Sequence, residues 1–112
     1  MPWMAEAAQQ RRASHPRACD YTKAFSKDWI RLSGSGRYDM NRLKAVMLLL
    51  IANDAPLGAE WKDHPLKGEW SSHRECHVSG DFLLIYKADD AVGKGGTVVF
   101  VRAGTHADLF GE

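Results

Sequence analysis

The chain has 112 residues and a mass of 12.5 kDa, with 45% hydrophobic and 26% charged residues, the balance of one soluble globular domain and not of a disordered chain. Its two cysteines, Cys19 and Cys76, lie far apart with no CxxC spacing, which excludes a disulfide-stapled secreted scaffold and fits a reducing compartment. The net charge of +1 conceals an asymmetry: residues 1–44 carry nine Lys and Arg against four Asp and Glu, and residues 45–112 carry six against ten. A basic half suits a phosphate backbone or an acidic protein partner, and a merely solvated helix surface has the same composition.

Charges and glutamines occupy the place of a secretory apolar region, and the longest apolar run, 45–52, is far short of the roughly 20 residues that span a bilayer. The expected location is therefore cytoplasmic, with no membrane contact. Residues 1–15 have no apolar period and read as a flexible extension before a single domain over 16–112. A short strand is expected over 16–20. A helix follows over 22–32, where Tyr21, Phe25, Trp29 and Leu32 recur at helical spacing before Ser33-Gly34-Ser35-Gly36 ends it.

A second helix is expected over 40–52, with Asp39 as N-cap; it is apolar nearly all round, which predicts burial on more than one side. Pro65 argues that the next segment, with Trp61 and His64, is an irregular loop. In 71–78 the residues alternate, His73, Glu75 and His77 against Arg74, Cys76 and Val78, as on a strand. Ser79-Gly80 is a hairpin turn, 82–87 and 97–102 are further strands, 89–96 is a mobile loop, and 103–112 holds a last short turn or strand. The predicted architecture is α+β: two N-terminal helices packed on a small curved antiparallel sheet, in the order β-α-α-β-β-β.

Histidines carry the chemical information, since imidazole is the side chain whose ordinary pKa lies near neutrality. His64 lies on the proline-containing loop between Lys62 and Lys67, His77 closes one strand, Asp81 opens the next, and His106 follows the last long strand. Adjacent strand ends can bring His77, Asp81, Arg102 and His106 to one edge of the sheet. Such a group can move protons, and lysine and arginine among them would stabilise phosphoryl charge. Each residue also has a duller reading: Asp81 as a turn residue, Phe110 as a plug for the C-terminus, Arg102 as the partner of a structural carboxylate such as Glu75. His73 has no assigned role. Paired zinc-ligand spacing is absent, Cys76 shares a strand face with Val78, and the glycines of DDAVGKGG lack the features of a phosphate-binding loop.

Several blocks in order then resemble one family. They are Asp39-Met40-Asn41-Arg42-Leu43-Lys44, Lys62-Asp63-His64-Pro65-Leu66, Arg74-Glu75-Cys76-His77-Val78, the run DFLLIYK over 81–87, and Gly104-Thr105-His106-Ala107 with Leu109-Phe110-Gly111. From about Tyr21 to Gly111 the chain resembles the RelE superfamily of toxin–antitoxin ribonucleases, and within it the YafQ-type toxins. The resemblance implies a RelE-like microbial RNase fold and a toxin that cuts mRNA in the ribosomal A site, with no metal and no cofactor. The RNA 2′-hydroxyl would attack the adjacent phosphorus, leaving a 2′,3′-cyclic phosphate and a 5′-hydroxyl.

By the same resemblance His64, His77, Asp81, Arg102 and His106 are the catalytic set, with Phe110, Lys62 and Lys67 holding RNA. His64 is expected as base and His106 as acid, labels that could be exchanged. Arg31, Arg37, Arg42 and Lys44 would face ribosomal RNA. The implied partners are a cognate antitoxin, the ribosome and mRNA, with operator DNA reached only through the antitoxin. The extension through about Ala13 and the length of DDAVGKGG depart from the family pattern, and Asp108 adds a negative charge beside the site. A ribosome-independent nuclease of the same fold and a catalytically inactive binding relative are the competing readings; a general RNA-binding module fits less well, for want of paired aromatics on a central strand.

Overall fold

The computed structural model describes residues 15–54, 56–90 and 95–111. Nearly all of the expected N-terminal extension (1–14) and the centre of the expected mobile loop (91–94) lie outside the described residues.

Thr22 starts helix α1, Lys23–Ser35: its hydroxyl oxygen accepts the Phe25 N–H at 3.0 Å while the hydroxyl itself donates to the Val101 carbonyl at 2.7 Å. One side chain thus caps the helix and ties it to a strand 79 residues away. Phe25, Asp28 and Leu32 form the buried stripe. The helix runs three residues past its expected end and stops where Gly36 adopts φ +69°, a left-handed conformation natural to glycine. Helix α2, Met40–Ala52, begins at Asp39, whose carboxylate accepts the Arg42 N–H at 2.9 Å. Leu43, Val46 and Leu50 are buried, but Leu48 and Leu49 are 65% and 47% exposed. The expectation of burial on several sides is therefore corrected: one face packs and the other meets solvent.

Five strands form one sheet: β1 (Ala18–Tyr21), β2 (His64–Pro65), β3 (Arg74–Ser79), β4 (Phe82–Asp89) and β5 (Thr97–Gly104), in the spatial order β1-β5-β4-β3-β2. β2 to β5 are antiparallel neighbours, the pairing expected of β3, β4 and β5. β1 departs from the antiparallel expectation by pairing in parallel with β5, from Ala18 opposite Thr97 to Tyr21 opposite Phe100. A parallel neighbour needs a long crossover, which the rest of the chain supplies. β2 corrects the irregular loop expected around Pro65: at the sheet edge a proline's missing N–H costs no ladder bond.

Strand alternation divides the core. Cys76, Val78, Leu84, Tyr86, Val98 and Phe100 face α1 and α2. Leu83 and Ile85 face the other way, beneath Leu109, with Leu66, Trp70, Val101 and Phe110 packed around them. Leu109 belongs to a short helix, α3 (His106–Phe110), found where a turn or strand was expected; Thr105 and Asp108 close it with reciprocal side-chain to backbone bonds. The helices on one face leave the other for the histidines.

Candidate active site

β2 and β3 pair with His64 directly opposite Glu75, and His77 follows two residues along β3 on the same side. The Nε2 atoms of His64 and His77 lie 3.6 and 3.5 Å from one Glu75 oxygen. Glu75 is only 3% exposed, while both imidazoles reach the surface. His64 Nδ1 lies 2.8 Å from the Lys62 carbonyl. A carbonyl can only accept, so Nδ1 carries the proton and Nε2 is the atom left for chemistry.

The third histidine arrives on the same face from the end of β5, two strands from β3. His106, the first residue of α3, has its ring centroid 6.4 Å from that of His77, which is 6.0 Å from His64. Asp81 accepts from His106 twice, at Nδ1 and at the backbone N–H, the latter at 3.2 Å. These bonds, the imidazole's first, hold the Asp81 carboxyl below its ordinary value, so it is ionised at neutral pH. An ionised carboxylate against Nδ1 orients the ring and stabilises positive charge on it, and Nε2 is again the working atom. One turn on, Phe110 lies 5.9 Å from His106 and 6.1 Å, edge to face, from Trp70. Lys62 and Lys67 are exposed on either side of β2.

The structure thus groups His64, His77, Asp81, His106 and Phe110 on the face opposite α1 and α2. Arg102 is placed differently from expectation. Beyond Phe100 strand β1 has ended and the β4–β5 register shifts between Ile85 and Tyr86. Arg102 there donates Nε (2.7 Å) and Nη2 (3.2 Å) to Asp28 of α1, not to Glu75. Burial works to raise the Asp28 pKa, but bonds from Arg102, the Ala103 N–H and Arg31 together bring it below the ordinary carboxylate value.

Two of the four basic residues expected to face RNA also make contacts within the fold. Arg31 bridges Asp28 and Asp108 at 3.2 Å each, which offsets the Asp108 charge beside the site. Arg42 donates Nε to the Val78 carbonyl and lies 4.2 Å over the Trp61 ring. Arg37 and Lys44 remain exposed. Cys76 faces the helices, where burial pushes its thiol up to about 12, so it offers no nucleophile at neutral pH.

Glu75, Trp70 and Asp63 were not foreseen as parts of the site. The alternation of Glu75 with His77 was a signal for the first. Asp63 accepts from Arg74 Nε and Nη2 (3.1 and 2.9 Å) and from the Tyr86 hydroxyl (2.5 Å), pinning the segment that carries His64. Among the described residues no helix is long and apolar enough to cross a membrane.

The sequence profile of a family described as a bacterial toxin of type II toxin–antitoxin systems, YafQ, matches residues 17–111. The Escherichia coli K12 mRNA interferase toxin YafQ is 46% identical over 95 residues, which are 85% of this chain and 97% of that protein. The toxin in the crystal structure of the E. coli DinJ–YafQ toxin–antitoxin complex superposes with a TM-score of 0.73 at 45% identity, covering 85% of this chain and 98% of that one. A metal-bound toxin from Helicobacter pylori is 35% identical with a TM-score of 0.69, covering 84% of this chain and 99% of its own. On the extent of the match and the agreement in fold, the chain belongs to the YafQ family of bacterial type II toxin–antitoxin toxins.

Proposed function

We propose that this toxin is an endoribonuclease that cuts mRNA in the ribosomal A site, and that a cognate antitoxin restrains it. The observation that carries the reading is the row of three imidazoles with Asp81, in which the Lys62 carbonyl and the Asp81 carboxylate orient two of the rings through Nδ1. In-line transfer needs a base at the 2′-hydroxyl and an acid at the leaving oxygen, on opposite sides of one phosphorus. His64 Nε2 takes the 2′-hydroxyl proton as O2′ bonds to phosphorus. The P–O5′ bond breaks, and His106 Nε2 gives its proton to O5′. The products are a 2′,3′-cyclic phosphate and a 5′-hydroxyl.

His77 holds the substrate between the two. Arg102, fixed at Nε and Nη2 by Asp28, has its Nη1 group left for a non-bridging oxygen. Phe110, braced by Trp70, stacks on a base, and Lys62 and Lys67 contact the RNA backbone. The DinJ-bound state of the E. coli relative supports an antitoxin as partner here, with operator DNA reached through it; the ribosome, mRNA and a cytoplasmic site of action complete the reading. The metal-bound H. pylori relative also makes a metal ion a candidate ligand of this chain, outside the cleavage steps.

The test is a purified translation reaction on a defined mRNA, with 5′ and 3′ ends mapped for wild type, His106→Ala and a ribosome-free control. Codon-phased cuts that need both the ribosome and His106 are expected. Cuts without ribosomes would move the substrate to free RNA, and no cuts by folded protein would leave a binding protein.

A further inference from the structure

We propose that His64, Glu75 and His77 form a seat for one borderline-soft divalent cation of the Zn2+ type, and that filling it stops RNA cleavage. The inhibitory half rests on the functional reading above; the seat rests on geometry alone. One ligand atom from each residue lies within 4.8 Å of the other two, and the two Nε2–Oε1 separations are 3.6 and 3.5 Å. In a tetrahedral zinc site with bonds of about 2.0–2.1 Å, ligand atoms stand roughly 3.3–3.5 Å apart. The two histidine–carboxylate separations are within a few tenths of an ångström of that spacing, and the two imidazoles need only draw in from within 4.8 Å of each other to complete three positions of the site.

The local chemistry asks for a cation. Since His64 Nδ1 donates to the Lys62 carbonyl, a neutral His64 aims the Nε2 lone pair at a carboxylate oxygen. Two electron-rich atoms 3.6 Å apart are stabilised by a positive centre between them, either a proton on Nε2 or a metal ion. Among the described residues the ion-pair partners of the buried Glu75 are the two histidines alone. A backbone carbonyl on the distal imidazole nitrogen is also the outer-shell contact that orients metal-bound histidines. His106 stays outside, its Nδ1 held by Asp81.

Inhibition follows from the same atom. Nε2 is the only nitrogen of His64 able to accept the 2′-hydroxyl proton, and a bound cation occupies its lone pair. Metal and substrate proton therefore compete for one site.

The first measurement is a calorimetric titration of the purified full chain with ZnCl2, alongside thermal unfolding with and without the ion. One ion per chain and a raised Tm are expected. Glu75→Gln and His77→Asn should each weaken binding at least tenfold, and His73→Ala should bind as wild type does. Failure of the wild type to bind one equivalent overturns the seat; so does undiminished binding by both ligand variants. Cleavage is then followed in the translation reaction with added Zn2+ and with a chelator selective for zinc over magnesium. Loss of cutting at saturation, restored by the chelator, is expected, and unchanged cutting at saturation overturns the inhibitory half. If the metal-free protein does not cut, the functional reading and its inhibitory corollary fall together, while the titration still decides the seat.

Discussion

Two imidazoles here are fixed by different means, and the difference predicts how each fails. His106 is held by a carboxylate, so Asp81 contributes charge as well as aim. Replacing His106 by Ala should slow single-turnover cleavage by about 100- to 10,000-fold, the usual span for a general acid or base. Asp81→Asn should cost less and leave RNA affinity near wild type, because the ring stays but loses its charged anchor. Equal rates for Asp81→Asn and wild type would show that the contact does not matter to the reaction. Phe110 touches no proton in transit, so Phe110→Ala should raise KM and leave kcat nearly intact. Its cost should be about 1–3 kcal/mol of RNA binding, read by titrating substrate in the same assay. Glu75 is hard to see in the sequence as an imidazole partner because its histidines are assembled across two strands, one of which carries a proline.

Among the elements, β2 is the least secure and the most consequential. It has two residues, one a proline, and Asp63 holds it with four hydrogen bonds to Arg74 and Tyr86. Asp63→Ala should lower the unfolding free energy by about 1–3 kcal/mol, the cost of orphaning partners in a partly buried site. It should also reduce cleavage beyond what unfolding explains, because His64 loses its seat. A urea titration and a single-turnover rate on the same sample separate the two effects; a rate that tracks the folded fraction would assign Asp63 to stability alone. Helix α2 was legible because cap and period agree locally, whereas the hairpin turn lies one residue later than expected, at Gly80-Asp81 between the paired Ser79 and Phe82. β2 and α3 were not legible, since a proline masks the first and the second is too short to display a period. The pairing of β1 with β5 left no local trace at all.

At the scale of the molecule, one carboxylate joins three elements: Asp28 of α1 binds Arg102 and the Ala103 N–H of β5, and through Arg31 reaches Asp108 of α3. Its folded pKa lies below the unfolded value of 3.8. The stabilisation is therefore complete above about pH 4 and is lost as pH falls through the lower folded value. Asp28→Asn should lose about 1.5–3 kcal/mol at pH 7, the worth of hydrogen bonds to a charged group, and show a flatter decline between pH 4 and 2. Asp81 and Asp108 titrate in the same sense, but their exposure makes them minor contributors. Urea midpoints at pH 7, 4 and 3 make the comparison, and parallel declines of variant and wild type would clear Asp28 of the role. The partnership was hidden in the sequence because Asp28 and Arg102 stand 74 residues apart, while Glu75 lies closer along the chain.

The parallel strand also has a consequence for synthesis. Among the described residues the backbone ladder of β1 is made with β5, nearly the last element made, and the cap of α1 is tied to the same strand. During translation the amino-terminal strand stays unpartnered until that late segment leaves the ribosome, and His106 emerges later still. The site of this toxin is therefore incomplete while the chain is nascent and is assembled only at release.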